Sequence, residues 1–85
     1  MKTFEYTIKD ELGIHARPAG MLVKEANKFA ASITVSAGEK KADAKKIFGI
    51  MGMAVKCGAT VTVAAEGDDE DAAIAAMQAF MQENL

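Results

Sequence analysis

The chain has one cysteine, one histidine and one proline in 85 residues, and it has no long apolar run. Each scarcity excludes something. A lone Cys57 cannot form an internal disulfide, so the fold must stand on its core alone, and a reducing compartment is the default expectation. With no second Cys and no His near it, Cys57 reads as a small half-buried residue and not as a reactive thiol. A single His with no Cys or second His at ligand spacing leaves no metal site to expect. The longest weakly polar stretch, Ile47 to Ala65, is broken by Lys56 and three glycines, and the N-terminal residues alternate instead of forming an apolar signal core. Neither a membrane-inserted segment nor a targeting segment is expected, and the protein should be cytoplasmic. Repeats, linkers and low-complexity segments are absent too, so residues 1–85 read as one domain. A domain of this size buries only about 60% of its unfolded surface, which makes its stability marginal.

An excess of basic charge is also missing. Ten Lys and Arg against twelve Asp and Glu give a net charge of −2, with a pI near 5.3, which argues against a general nucleic-acid binder. The charge is unevenly placed, however. Residues 1–46 hold nine basic and six acidic groups, whereas residues 47–85 hold one basic and six acidic. The first half therefore has the means to build a basic face that receives an acidic partner, unless folding mixes the two halves in space.

Phe4, Tyr6 and Ile8 alternate with Thr3, Glu5 and Thr7, which predicts a half-buried strand over Lys2 to Ile8. After the polar turn Lys9-Asp10-Glu11, the apolar residues Ala19, Leu22, Val23, Ala26 and Phe29 fall at helical steps. Pro18 belongs in the first turn of that helix, which puts His15 at or next to its N-cap. Ser32 to Ser36 predicts a second strand, and Ala37-Gly38-Glu39 a turn to a short third strand near Lys40 to Asp43. Ile47, Phe48, Ile50, Met51 and Met53 predict a helix of about two turns, weakened by Gly49 and Gly52. Thr60 to Ala65 predicts a fourth strand, and Asp68 the N-cap of a last helix carrying Ala73, Ile74, Met77, Phe80 and Met81 nearly to Leu85. The order βαββαβα predicts an α+β sandwich: a four-stranded, largely antiparallel sheet covered on one face by three helices.

His15 stands where Arg and Pro follow within three residues. The first N–H groups of a helix lack partners and carry partial positive charge, so an anion placed there meets donors already aimed at it. Arg17 adds a charge-assisted contact to the same anion. A neutral imidazole beside that site can accept a phosphoryl group and release it again. On the four-residue string alone, an ordinary capping or surface histidine remains the better reading, because such strings recur by chance.

The wider sequence shifts that balance. Gly13-Ile14-His15-Ala16-Arg17-Pro18-Ala19 resembles the active-site signature of the histidine-containing phosphocarrier (HPr) family of the bacterial phosphoenolpyruvate-dependent sugar phosphotransferase system. Lys45 through Met51 resembles that family's second signature, and Ala65-Glu66-Gly67-Asp68 the turn before its last helix. The resemblance covers essentially the whole chain and implies an open-faced β-sandwich. It also implies a carrier and not an enzyme, working without a cofactor, as a monomer. His15 would accept the phosphoryl group on Nδ1 from phosphorylated Enzyme I and pass it to IIA components of sugar permeases. Arg17 and the backbone N–H groups of Ala16 and Arg17 would hold the group, with Pro18 purely architectural. Gly20, Met21, Lys24, Lys45, Lys46, Ile47, Phe48 and Met51 would form the partner-docking surface, an apolar patch with a basic rim.

Three departures stand out. Lys46 occupies the position of the regulatory serine found in many Gram-positive members, so phosphorylation by an HPr kinase is not expected there, nor are Ser32 and Ser36 expected to substitute. Ala54 replaces a glycine usual after the short helix, and Gly38-Glu39 shifts the hairpin glycine by one position. Two alternatives remain open: a related carrier in a regulatory or nitrogen-related branch, and a non-phosphorylated interaction module of the same fold. The retained His15 speaks against the second.

Overall fold

The computed structural model describes residues 1–85. Strand β1 (Lys2–Thr7) leads to α1 (Ala16–Ala26), then β2 (Ser32–Ala37), β3 (Lys40–Asp43), α2 (Ile47–Gly52), β4 (Thr60–Glu66) and α3 (Glu70–Asn84). The sheet order is β1-β4-β2-β3, and all three pairings are antiparallel. Because β4 inserts between β1 and β2, the α1 connection spans one strand position, and so does the α2 connection from β3 to β4.

Register explains which face the helices cover. Phe4 pairs with Val63, Tyr6 with Val61, Ile33 with Ala65, and Val35 with both Val63 and Ala42, so these side chains share one face. Ala19, Leu22 and Ala26 of α1, Ile50 of α2, and Ala73, Met77 and Met81 of α3 pack against that face and are buried. Thr3, Glu5, Thr7 and Thr60 alternate onto the other face, which no helix covers; Thr7 and Thr60 share a hydroxyl hydrogen bond of 3.1 Å there. Gly38 and Glu39 form a two-residue hairpin turn closed by the Ala37–Lys40 pair.

Three expectations need correction. The first helix does not reach Phe29: Asn27 caps it, with its amide Nδ2 and its backbone N–H both donating to Val23 O, and Phe29 packs beyond the helix end. The last helix takes Asp69 and not Asp68 at its N-cap, and the Asp69 side chain does not cap the helix at all. Its two carboxylate oxygens accept the N–H groups of Ala30 and Ala31, both at 2.8 Å, tying the α1–β2 loop to the start of α3. Those amides, Ala30 foremost, together with the nearby Lys45 ammonium, hold its carboxyl below the usual carboxylate range. Finally, Cys57 is exposed and not half-buried, in the loop before β4, with its thiol 3.8 Å from Lys9 O.

Candidate phosphoryl-acceptor site

The segment between β1 and α1 is fixed at several points, and these aim His15. Asp10 makes a turn on itself, its Oδ1 accepting the Leu12 N–H at 2.9 Å while its carbonyl accepts the Gly13 N–H at 2.9 Å. Its own N–H donates to the Leu85 oxygen at 2.8 Å, which brings the end of α3 against this loop. Gly13 has φ of +68°, and a Cβ there would lie 2.2 Å from Val55 O, so backbone shape and close approach both require glycine. Ile14 is buried and its N–H donates to the same Val55 O at 3.0 Å. One residue later the chain turns outward into α1.

His15 is the N-cap of α1, in extended conformation (φ −100°, ψ −174°), and its side chain makes no capping bond. The imidazole is free for other work. Its carbonyl accepts the Ala19 N–H at 2.9 Å, the first bond of the helix, and Pro18 has no N–H to offer. The N–H groups of Ala16 and Arg17, like that of His15 itself, therefore have no acceptor at this helix end. The His15 side chain is 37% exposed, and its Nε2 lies 4.0 Å from Asp10 Oδ1. Asp10, His15, Arg17, Pro18, Met21 and Asn84 line a shallow pocket of about 130 Å³. A phosphoryl group on the imidazole would face unpaired amides, the positive end of α1 and the guanidinium of Arg17 together.

Beside this pocket lies an apolar surface. Met21 is 41% exposed, Met51 42% and Phe48 86%, so these side chains of α1 and α2 are not core. Gly20 faces α2, where an added Cβ would make ordinary contact with Ile47 Cδ1 at 3.7 Å, and Ile47 is half-buried between the two helices. Lys24 and Lys46 are exposed, and neither they nor Arg17 take part in an ion pair. Lys45 is placed differently. Its ammonium donates to Phe29 O at 2.7 Å, at the opposite end of α1 from His15.

A family model described as the PTS HPr component phosphorylation site matches residues 2–83. The chain belongs to the HPr family. The phosphocarrier protein HPr of Lysinibacillus sphaericus is 48% identical over 83 residues, covering 98% of this chain and 94% of that protein. A solved histidine-containing phosphocarrier protein from Mycoplasma superposes with a TM-score of 0.94 at 44% identity, over 96% of this chain and 93% of that one. The Crh protein of Bacillus subtilis, solved as a domain-swapped dimer, superposes with a TM-score of 0.78 at 38% identity, over 94% of this chain and 92% of that one. The family is that of the HPr phosphocarrier of the phosphotransferase system; the chain has the α+β fold expected of it, and no helix is long and apolar enough to cross a membrane.

Two residues of the pocket, Asp10 and Asn84, were not read as site residues from the sequence. Asp10 had a visible signal, since an Asp two residues before an exposed apolar residue and three before a glycine suits a side-chain-closed turn; its approach to His15 had none. Asn84 reaches the pocket only because α3 folds back across the molecule, and nothing local encodes that.

Proposed function

We propose that the protein accepts a phosphoryl group on His15 from phosphorylated Enzyme I and passes it to IIA components of sugar permeases. The observation that carries this reading is the conjunction at the start of α1: an uncommitted imidazole, two unpaired amides at Ala16 and Arg17, and an unpaired guanidinium around one open pocket. The incoming group is a dianion, and a helix N-terminus favours such charge by about 0.3–1 kcal/mol at an exposed site, with Arg17 adding a charge-assisted contact. These modest terms suit a carrier, which must give the group away as readily as it takes it. A binding site that held the phosphoryl group tightly would end the relay.

Donor and acceptor proteins dock in turn on the same surface, with Phe48, Met51 and Met21 as apolar contacts over Gly20 and Ile47, and Arg17, Lys24 and Lys46 as a basic rim toward acidic partners. Lys45 has the weakest claim on that rim, its ammonium being tied to Phe29 O. The interface is small and quick to dissociate, and the carrier works in the cytoplasm as a monomer. Lys46 offers no hydroxyl, so the kinase-driven switch of some family members does not operate at this position. The Crh relatives favour one competing reading, a regulatory branch served by the same fold; His15 in its open pocket supports the phosphoryl-carrier reading instead.

The test is incubation with phosphoenolpyruvate and Enzyme I followed by intact-mass measurement. One acid-labile phosphoryl group is expected, absent in His15→Ala. No addition, under conditions that modify another HPr, overturns the proposal. Comparing IIA proteins for the fastest drain of the group then separates sugar import from a regulatory branch.

A further inference from the structure

We infer that Asp10 is a positioning residue for His15: its carboxylate charge, facing Nε2, biases the imidazole toward the Nε2–H tautomer and so favours the Nδ1 lone pair as the nucleophile. The inference rests on the carrier reading of His15 and adds a residue to it.

The two ring nitrogens are not in equivalent surroundings. Asp10 Oδ1 lies 4.0 Å from Nε2, and both side chains are about one-third exposed, at 37% for His15 and 32% for Asp10. The carboxylate is not free to swing away. Its Oδ1 is anchored on the Leu12 N–H at 2.9 Å, and its backbone N–H on the Leu85 oxygen at 2.8 Å. His15 is likewise held from both sides, by the buried Ile14 before it and by the Ala19 N–H on its carbonyl after it. Asp10 and His15 line the same pocket, so the relation survives as a feature of the site and not of a wandering surface chain. At 4.0 Å the contact is longer than a hydrogen bond, so the carboxylate acts through its charge, which favours the proton on the nearer ring nitrogen and leaves the lone pair on the other.

The consequence for transfer follows in electrons. The Nδ1 lone pair forms the new N–P bond as the donor's bond to phosphorus breaks, its electron pair returning to the donor. The proton on Nε2 stays in place, so the ring of the phosphorylated carrier becomes cationic. Asp10 faces that new charge. When the phosphoryl group moves on, the electron pair of the N–P bond returns to Nδ1 and the ring is again neutral with its proton still on Nε2. No proton need enter or leave His15 in either half of the cycle. Asp10 never touches phosphorus; it acts through the imidazole.

The experiment uses the full chain labelled with ¹⁵N at histidine, in wild type, Asp10→Asn and Asp10→Ala. Asparagine keeps an acceptor for the Leu12 N–H and with it the turn, but removes the charge. Long-range ¹H–¹⁵N spectra, recorded without Enzyme I, read the tautomer directly. Wild type is expected mainly in the Nε2–H form, with the Nδ1–H share rising about two- to fivefold in both variants, the size of effect expected from losing one weak, partly exposed charged contact. Phosphorylation by Enzyme I and phosphoenolpyruvate is expected to slow by a similar factor while the melting temperature of Asp10→Asn stays at the wild-type value. An Asn variant with wild-type tautomer and rate would mean that only the turn matters, and overturns the inference. A shifted tautomer with an unchanged rate overturns it as well. Failure of the wild type to be phosphorylated, by contrast, refutes the carrier reading itself, while the tautomer ratios still decide whether Asp10 orients the ring.

Discussion

Ala54→Gly should make the protein more stable, against the usual sign of such a change. Ala54 is exposed, follows the last turn of α2, and has φ of +51°, the only non-glycine residue with positive φ. It fills the position just past a helix C-cap, where glycine is the common solution. The left-handed region costs an L-residue about 1–2 kcal/mol relative to the right-handed one, because Cβ crowds the following carbonyl. Glycine escapes that cost but loses about 0.4–1 kcal/mol through its freer unfolded chain. The difference leaves a net gain of about 0.5–1 kcal/mol, and since the methyl group is exposed, no packing is forfeited. For a chain of this size that is a rise of about 2–8 °C in melting temperature. Gly58→Ala supplies the mirror image: φ is +90° and no atom lies within 4 Å of the added Cβ, so only the conformational cost acts and the melting temperature should fall. Circular dichroism melts and urea titrations measure both, with an unchanged urea slope expected. An Ala54→Gly variant that melts at or below wild type would show that Ala54 carries no conformational cost in its left-handed backbone.

Other consequences follow from the same geometry. Lys46 is the N-cap of α2, makes no capping bond and places positive charge at the positive helix end, so Lys46→Ser should gain about 1 kcal/mol in urea denaturation. The same variant should become a substrate for HPr kinase with ATP while the wild type stays unmodified by mass. Phe48→Ala should leave thermal stability within about 0.5 kcal/mol of wild type, the side chain being 86% exposed, yet slow transfer from Enzyme I about tenfold at limiting concentrations. Asp69→Asn removes the charge that binds the Ala30 and Ala31 amides and should lower the melting temperature at pH 7. Because the folded carboxyl titrates below its ordinary 3.8, its contribution is fully present above that pH and is lost as the pH falls through the folded value. The gap between wild type and variant should therefore close in acid, as melts at stepped pH will show.

The alternation of Phe4, Tyr6 and Ile8 and of Val61, Val63 and Ala65 made the strands legible, because a one-residue slip would turn every one of these side chains to solvent. The start of α1 was legible too, since Pro18 fixes how close the helix can begin. The helix ends were not. Phe29 continues the helical spacing of Ala26, yet Asn27 takes Val23 O, and the freed Phe29 carbonyl goes to Lys45. Among the neighbouring acids at 68–71, the choice of Asp69 depends on the amides of Ala30 and Ala31, far away in sequence. The same holds at the site. His15, Ala16 and Arg17 lie in one short segment, which the resemblance singled out, and the exposure of Phe48 and Met51 was expected from that resemblance and not from their apolar character. Asp10 beside Nε2, Asn84 in the pocket and the diversion of Lys45 to Phe29 are tertiary facts, set by how α3 and the loops close around α1.

The proposed cycle puts one phosphoryl group on His15 against the Ala16 and Arg17 amides at the start of α1. Amide spectra of the ¹⁵N-labelled chain, recorded before and after phosphorylation by Enzyme I and phosphoenolpyruvate, test it most directly. The largest shifts are expected at Ala16 and Arg17, with coupling between phosphorus and the Nδ1 of His15. Phosphorylation that leaves those two amides in place, or a phosphoryl group found on another residue, would contradict it.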